Sequence, residues 1–159
     1  MDDFRKKFFD ALIEAERERQ RAEHLVFIVM PVVKDNKLLV RALESVNRAL
    51  VLVISTILKY EYLYKRIELS KDNKKNLEVF FKKCAIRYGL NEPDKEVIKK
   101  IIELGKRHKE SGFEFSKVGK VVILDDDLSV EEVSLDKIKG FLALLRKVIE
   151  GAKSGFKAF

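Results

Sequence analysis

Between residues 39 and 64, eight apolar or aromatic side chains recur at alternating steps of four and three: Leu39, Leu43, Val46, Leu50, Val53, Ile57, Tyr60 and Tyr64. Such steps keep side chains on one stripe of an α-helix packed in a bundle. The middle of the segment, ALVLVISTIL at 49–58, is apolar on nearly every side. A helix that is apolar all round must be surrounded, so this one is expected at the centre of the fold. The apolar run is ten residues long, bounded by Arg48 and Lys59, against the roughly 20 that a bilayer crossing needs. It reads as core, with no membrane partner implied.

The neighbours that such a helix requires are visible on both sides. From about residue 3 to 29, Phe4, Phe8, Ala11, Ala15, Ala22, Leu25 and Val29 keep the same rhythm, interrupted by the charge of Glu18. Pro31 should end or bend this first helix, because proline lacks a backbone donor and crowds the preceding turn. Asp35 can cap the second helix, which is expected to continue to about residue 67. A connection this short favours antiparallel packing. A third helix should start near Ser70 or Asp72, bury Leu77, Phe80, Phe81, Cys84, Ala85 and Tyr88, and stop at Gly89. Asn91, Glu92 and Pro93 form a helix-start signal. The fourth helix then presents Val97, Ile98, Ile101, Ile102 and Leu104, ending near residues 111–112.

There the period changes from 3.6 to 2. FEFS alternates at 113–116, Gly119 and Lys120 suit a two-residue type II′ turn, and VVIL follows. A β-hairpin is expected, packed on the helices because two strands alone are marginal. Ser129 with Glu132 reads as a short capping box. Ser134 should cap a last helix whose stripe is Ile138, Leu142, Leu145, Ile149, Ala152 and Phe156. The fold class is therefore mainly α: a four- to five-helix antiparallel bundle with a small β-hairpin between the last two helices. With 159 residues and no linker or low-complexity segment, one domain over 1–159 is expected.

The net charge of +7 is unevenly spread. Residues 59–120 carry seventeen basic against ten acidic side chains, an excess equal to that of the whole chain. Lys74, Lys75, Lys82, Lys83, Lys99, Lys100, Lys106, Arg107 and Lys109 are the candidate polyanion-binding residues. A basic surface of this kind contacts phosphates without reading bases. Tyr62, off the bundle stripe, is a candidate for base stacking. The plain alternative is a solvated face of two amphipathic helices.

Arg19 and His24 stand in an Arg-x4-His spacing, and Arg17 and His24 in Arg-x6-His. Arg-x4-6-His is the motif of metal-independent ribonucleases of the HEPN class, in which arginine stabilises phosphate charge and histidine handles a proton. The plain alternative for His24 is a structural histidine beside the core. For His108 it is a polar helix-end residue near exposed carbonyls. Two separated histidines and the single Cys84 show no zinc spacing, and no metal or cofactor is expected. Asp125, Asp126 and Asp127 suit a hard cation or, more simply, the N-terminal dipole of the last helix. No phosphate-binding loop, dinucleotide fingerprint or nucleophile elbow occurs. One cysteine excludes an intramolecular disulfide framework. With MDDFRKKFF at the start offering no apolar export segment, a cytoplasmic protein is expected.

Two stretches, 24–67 and 108–127, resemble an uncharacterised family of small archaeal helical proteins. Pro31, Lys34, Asp35, Asn36, Tyr60, Glu61, His108, Ser111, Glu114 and Phe115 carry the resemblance. It implies a bundle distantly similar to HEPN domains and assigns no catalytic residue. The expected function is a non-enzymatic binding or adaptor domain facing RNA or another polyanion. A HEPN-type ribonuclease using Arg19 and His24, or a homodimerisation module formed through the apolar second helix and the C-terminal Phe156 and Phe159, are the alternatives. Far-UV circular dichroism should be dominated by helix, and a spectrum dominated by strand would overturn the fold class.

Overall fold

The computed structural model describes residues 3–110, 113–117, 120–124 and 130–157, with side-chain surroundings for 3–108 and 133–157. Six α-helices follow one another as α1 (Asp3–His24), α2 (Met30–Val33), α3 (Lys37–Leu63), α4 (Asn73–Val79), α5 (Glu92–Glu110) and α6 (Leu135–Lys157). Between α5 and α6 lie strands β1 (Phe113–Lys117), β2 (Lys120–Leu124) and β3 (Val130–Ser134), an antiparallel sheet in that order. The architecture is a mainly α bundle, as the periodicity requires.

α3 is the central element, packed by α1, α5 and α6 and by the segment after α4. Leu39, Leu43, Val46, Leu50, Val53, Ile57 and Tyr60 are all 0–1% exposed. Within the apolar run Ala49, Ile54, Thr56 and Leu58 are buried as well, Leu52 and Ser55 are half-buried, and Val51 is exposed. At one end an aromatic cluster ties four elements together. Phe156 of α6 lies 4.3 Å from Tyr60, 5.8 Å from Phe8 and 6.2 Å from Tyr88, ring centre to ring centre. Phe156 therefore belongs to the core and offers no contact outside the bundle; Phe159 lies outside the described residues. Phe4 is half exposed, so the inward stripe of α1 begins at Phe8.

The expected start signals act as hydrogen-bond caps. The Asp35 carboxylate accepts from the Lys37 N–H at 3.0 Å and Asp72 from Lys74 at 2.9 Å. Asn91 and Asp94 exchange side chain-to-backbone bonds at 3.1 and 2.9 Å, a reciprocal box. Ser134 accepts from Lys137. Gly89, at φ 80°, stops the third helical segment while Leu90 N–H donates to Ala85 O.

Several boundaries differ from the periodic reading. Pro31 does not end the first helix. A π-turn at Leu25–Val29, with Met30 N–H bonded to Leu25 O, carries the chain past it into α2, and Lys34 at φ 55° makes the stop. The widened turn accommodates a residue that has no N–H to give. α3 ends at Leu63 rather than near 67, because Lys65 turns left-handed at φ 60°. The third helix is α4, then a π-turn at Phe80–Cys84, then a 3-10 turn at Ala85–Tyr88. In the sheet Lys117 pairs with Lys120, so Lys120 belongs to β2 and not to the turn. This register sets Phe113 opposite Leu124 and Phe115 opposite Val122. Glu132 lies in β3, which replaces the expected capping box; Ser129 and Asp125 to Asp127 lie outside the described residues.

Gly151 and Gly155 let α6 approach the 3-10 turn: a Cβ at Gly151 would collide with the Tyr88 carbonyl oxygen, and one at Gly155 with the Tyr88 ring. Gly151→Ala should therefore cost about 1–3 kcal/mol by overpacking. Gly140→Ala on the same helix meets nothing within 4 Å and should stabilise by about 0.4–1 kcal/mol. Urea denaturation of the two variants reads both signs.

Candidate functional site

Glu61 stands four residues after Ile57 and one after Tyr60, on the inward side of α3, and is 1% exposed. A buried carboxylate demands counter-charge and hydrogen bonds. Arg66 donates to its Oε2 at 3.0 Å, and Arg87 donates to Oε2 at 3.0 Å and Oε1 at 3.3 Å. Local backbone makes both contacts. After α3 the left-handed Lys65 reverses the chain, and Arg66 N–H donates to Glu61 O, so Arg66 folds back over the helix end. Arg87 arrives from the 3-10 turn that follows the second π-turn.

Around this anchor the surface is basic and aromatic. Tyr62, Leu63, Tyr64 and Ile86 are exposed, Ile86 by 80%. The Arg66 guanidinium lies 5.3 Å from the centre of the Tyr64 ring, and Tyr64 lies 4.7 Å from Tyr60. Lys82 and Lys83 are exposed and have no carboxylate partner among the described residues. Two arginines meet on one carboxylate, which holds both guanidiniums in fixed geometry. About half of the Arg87 side chain faces solvent.

The same carboxylate reaches two buried neutral groups. Burial first, and the Glu61 charge second, push the Cys84 thiol up to about 11. The Tyr88 phenol is pushed far above its ordinary value by the same two causes. Both groups stay protonated, and Cys84 is a structural hydrophobe rather than a nucleophile.

The other basic candidates are spread along α4 and α5. Lys74 and Lys75 are exposed on α4 with no carboxylate partner among the described residues. Lys99 is divided between Glu96, at 3.3 Å, and the Phe81 ring, at 5.2 Å. Lys100 is half-buried, Lys106 is exposed and Arg107 is paired with Glu103 at 2.7 Å. Lys109 falls in α5, its side chain outside the described residues. Tyr62 is exposed, as its position off the stripe requires. Sequence reasoning passed over Arg66 and Arg87 as members of an anchored pair. The signal was present in Glu61 itself, a charge at an inward position.

No family model, curated protein or solved structure matches this chain. The site is therefore interpreted from its own chemistry.

Arg19 and His24 are not brought together. Arg19 is buried between Glu16, at 2.7 Å, and Glu23, at 2.6 Å, which are bound in turn by Lys153 and Arg146 of α6. Burial alone would raise the Glu16 carboxyl, but bonds from Lys153 and Arg19 outweigh it and hold it below its ordinary value. Arg19 is thus part of an ionic seam between α1 and α6. Five positions on a helix are about 140° apart, and His24 lies exposed on the α3 side. There it lines a depression of ≈ 430 Å³ with Arg21, Arg41, Glu44, Ser45 and Arg48. Arg21 and Arg48 are paired with Glu18, whereas Arg41 has no carboxylate partner among the described residues. His108 reaches the same Glu44 at 2.7 Å from α5. Among the described residues no group of three His, Cys, Asp or Glu could hold a metal ion. None of their helices is long and apolar enough to cross a membrane.

Removing both counter-charges with Arg66→Met and Arg87→Met strands a buried carboxylate and should cost about 3–5 kcal/mol in urea denaturation. Adding Glu61→Gln should recover part of that loss, because a neutral amide needs no counter-charge. A second expectation concerns pH. The folded Cys84 value of about 11 exceeds the ordinary 9.0, so the fold favours the protonated thiol. Its contribution is complete below the ordinary value and is lost as pH rises through about 11, and Tyr88 acts in the same direction. The urea midpoint should therefore fall between pH 9 and 11, and less so in Cys84→Ala.

Proposed function

We propose that this protein is a non-enzymatic binding domain that holds RNA through the end of the bundle formed by Tyr62, Tyr64, Arg66, Lys82, Lys83 and Arg87. The observation that carries this reading is the Glu61 anchor. It fixes two guanidiniums beside exposed tyrosines and unpaired lysines, which lowers the entropy lost when a phosphate is bound. Arg87, held by Glu61 through one guanidinium nitrogen and half exposed, can offer its outer N–H groups for bidentate phosphate contacts. Exposed tyrosines supply stacking that tolerates any base. No feature of this surface reads base edges, so binding is expected to follow charge and single-strandedness rather than sequence.

Filter binding to a single-stranded RNA oligomer across a salt series tests the reading. Affinity should fall steeply with salt, by a slope of about 0.7 per phosphate neutralised. Lys82→Glu with Lys83→Glu should weaken binding and flatten the slope. Tyr62→Ala should cost about 1–3 kcal/mol if a base stacks there. Equal and negligible binding by the parent and the lysine variants would remove the proposal.

A catalytic reading is favoured by a different observation, the depression shared by His24 and Arg41. There arginine would neutralise a phosphodiester, and the imidazole would accept the proton of the attacking ribose 2′-hydroxyl and return it to the departing 5′-oxygen as the P–O5′ bond breaks, leaving a 2′,3′-cyclic phosphate. It replaces Arg19 with Arg41 as the phosphate partner. RNA cleavage in excess chelator, abolished by His24→Ala and by Arg41→Ala, is its signature. No cleavage, or cleavage unchanged in His24→Ala, would remove it.

A further inference from the structure

At the opposite end of the bundle, the connection from α1 to α3 leaves four large apolar side chains uncovered. Phe27 is 50% exposed, Ile28 60%, Val32 81% and Val33 58%. They come from the first π-turn and from α2, within seven residues of one another. The widened turn brings residues five apart toward one side, where regular α geometry would separate them by about 140°. The left-handed Lys34 then folds the chain back into α3, so the four side chains crown a protruding turn. Exposed apolar patches of this concentration mark an interaction site rather than ordinary surface scatter.

The rim says what kind of partner fits. Lys34 and Lys37 flank the patch along the chain, and Lys139 at the start of α6 holds its ammonium 5.6 Å from the Phe27 ring centre. None of these three lysines has a carboxylate partner among the described residues. Across residues 30–41 the chain carries three cations, Lys34, Lys37 and Arg41, against one carboxylate, Asp35. Two copies of the chain meeting tip to tip would press these lysines together. An anionic lipid surface offers an apolar phase for the four side chains and counter-charge for the rim at once.

We propose that the α1–α3 turn is a docking tip for anionic membranes, with Phe27, Ile28, Val32 and Val33 entering the headgroup–acyl boundary and Lys34, Lys37 and Lys139 bound to acidic headgroups. The tip engages a surface without crossing it. It is separate from the RNA surface, since the 27 residues of α3 place the two ends about 40 Å apart, and either assignment can fail without the other.

The chain contains no tryptophan, so Val32→Trp gives a single reporter at the most exposed position. With vesicles of phosphatidylcholine containing about one-third phosphatidylglycerol, its emission should shift to the blue and the protein should co-sediment, an effect weakened by salt. Ile28→Asp with Val33→Asp, made in the parent chain with Val32 retained, should abolish co-sedimentation while circular dichroism stays helical. Lys34→Glu with Lys139→Glu should weaken it by at least about tenfold. Absence of co-sedimentation with the anionic vesicles would overturn the proposal, as would binding unchanged in these variants. Equal binding to pure phosphatidylcholine would overturn the anionic assignment. A dimer in sedimentation velocity that is lost in Ile28→Asp with Val33→Asp would give the tip to a second copy and overturn it as well.

Discussion

A carboxylate buried at the end of an apolar helix is stable only if the chain returns cations to it, and this requirement organises one end of the molecule. Glu61 is held by Arg66, from the turn just after α3, and by Arg87, from a 3-10 turn 26 residues downstream. The pairing fixes where the chain leaves the central helix and where the segment after α4 must lie. Burial first, and the Glu61 charge second, hold Cys84 and Tyr88 in their protonated forms. Replacing such a pair by apolar residues often leaves stability unchanged or improves it. Its presence therefore points to something besides stability, and the proposed RNA contact is one use for guanidiniums held beside exposed tyrosines.

The bundle behind this end follows from α3. A helix that is apolar on nearly all sides cannot be satisfied by one neighbour, and it is covered by α1, α5 and α6 together. Two of these neighbours are themselves joined by ions: Glu16, Arg19, Glu23, Arg146 and Lys153 form a seam between α1 and α6. Arg19 is thereby explained as structure. The motif that first drew attention to it combined a residue of this seam with a histidine on another side of the helix. Spacing alone does not distinguish these cases, because a step of five residues leaves the two side chains about 140° apart on the helix.

Helix existence was legible because burial imposes a period on the sequence, and the caps were legible because Asp35, Asp72, Asn91 and Ser134 are the residue types that satisfy free N–H groups. The π-turns at 25–29 and 80–84 were not. A single widened turn adds one residue, and the apolar positions on either side, such as Phe80, Cys84 and Ala85, read equally well as regular helix. The hairpin was legible from its alternation, but its backbone register, with Lys117 opposite Lys120 and a third strand paired to β2, did not follow from the turn rule. Among the site residues, the surface lysines were found by charge density. Glu61 was visible as a charge at an inward position, but which arginines answer it is a matter of tertiary structure, as is the meeting of Glu44 with His108. The exposed tip at Phe27, Ile28, Val32 and Val33 was hidden in the sequence, where those residues continue an apolar pattern that looks like core.

The central claim is that the Glu61-anchored end, and not the basic length of α4 and α5 or the groove at His24, is where a polyanion binds. Amide hydrogen exchange with and without a single-stranded RNA oligomer locates the contact directly. The account predicts new protection concentrated in residues 59–66 and 80–90. Protection confined to residues 21–48, or none anywhere at saturating RNA, would contradict it.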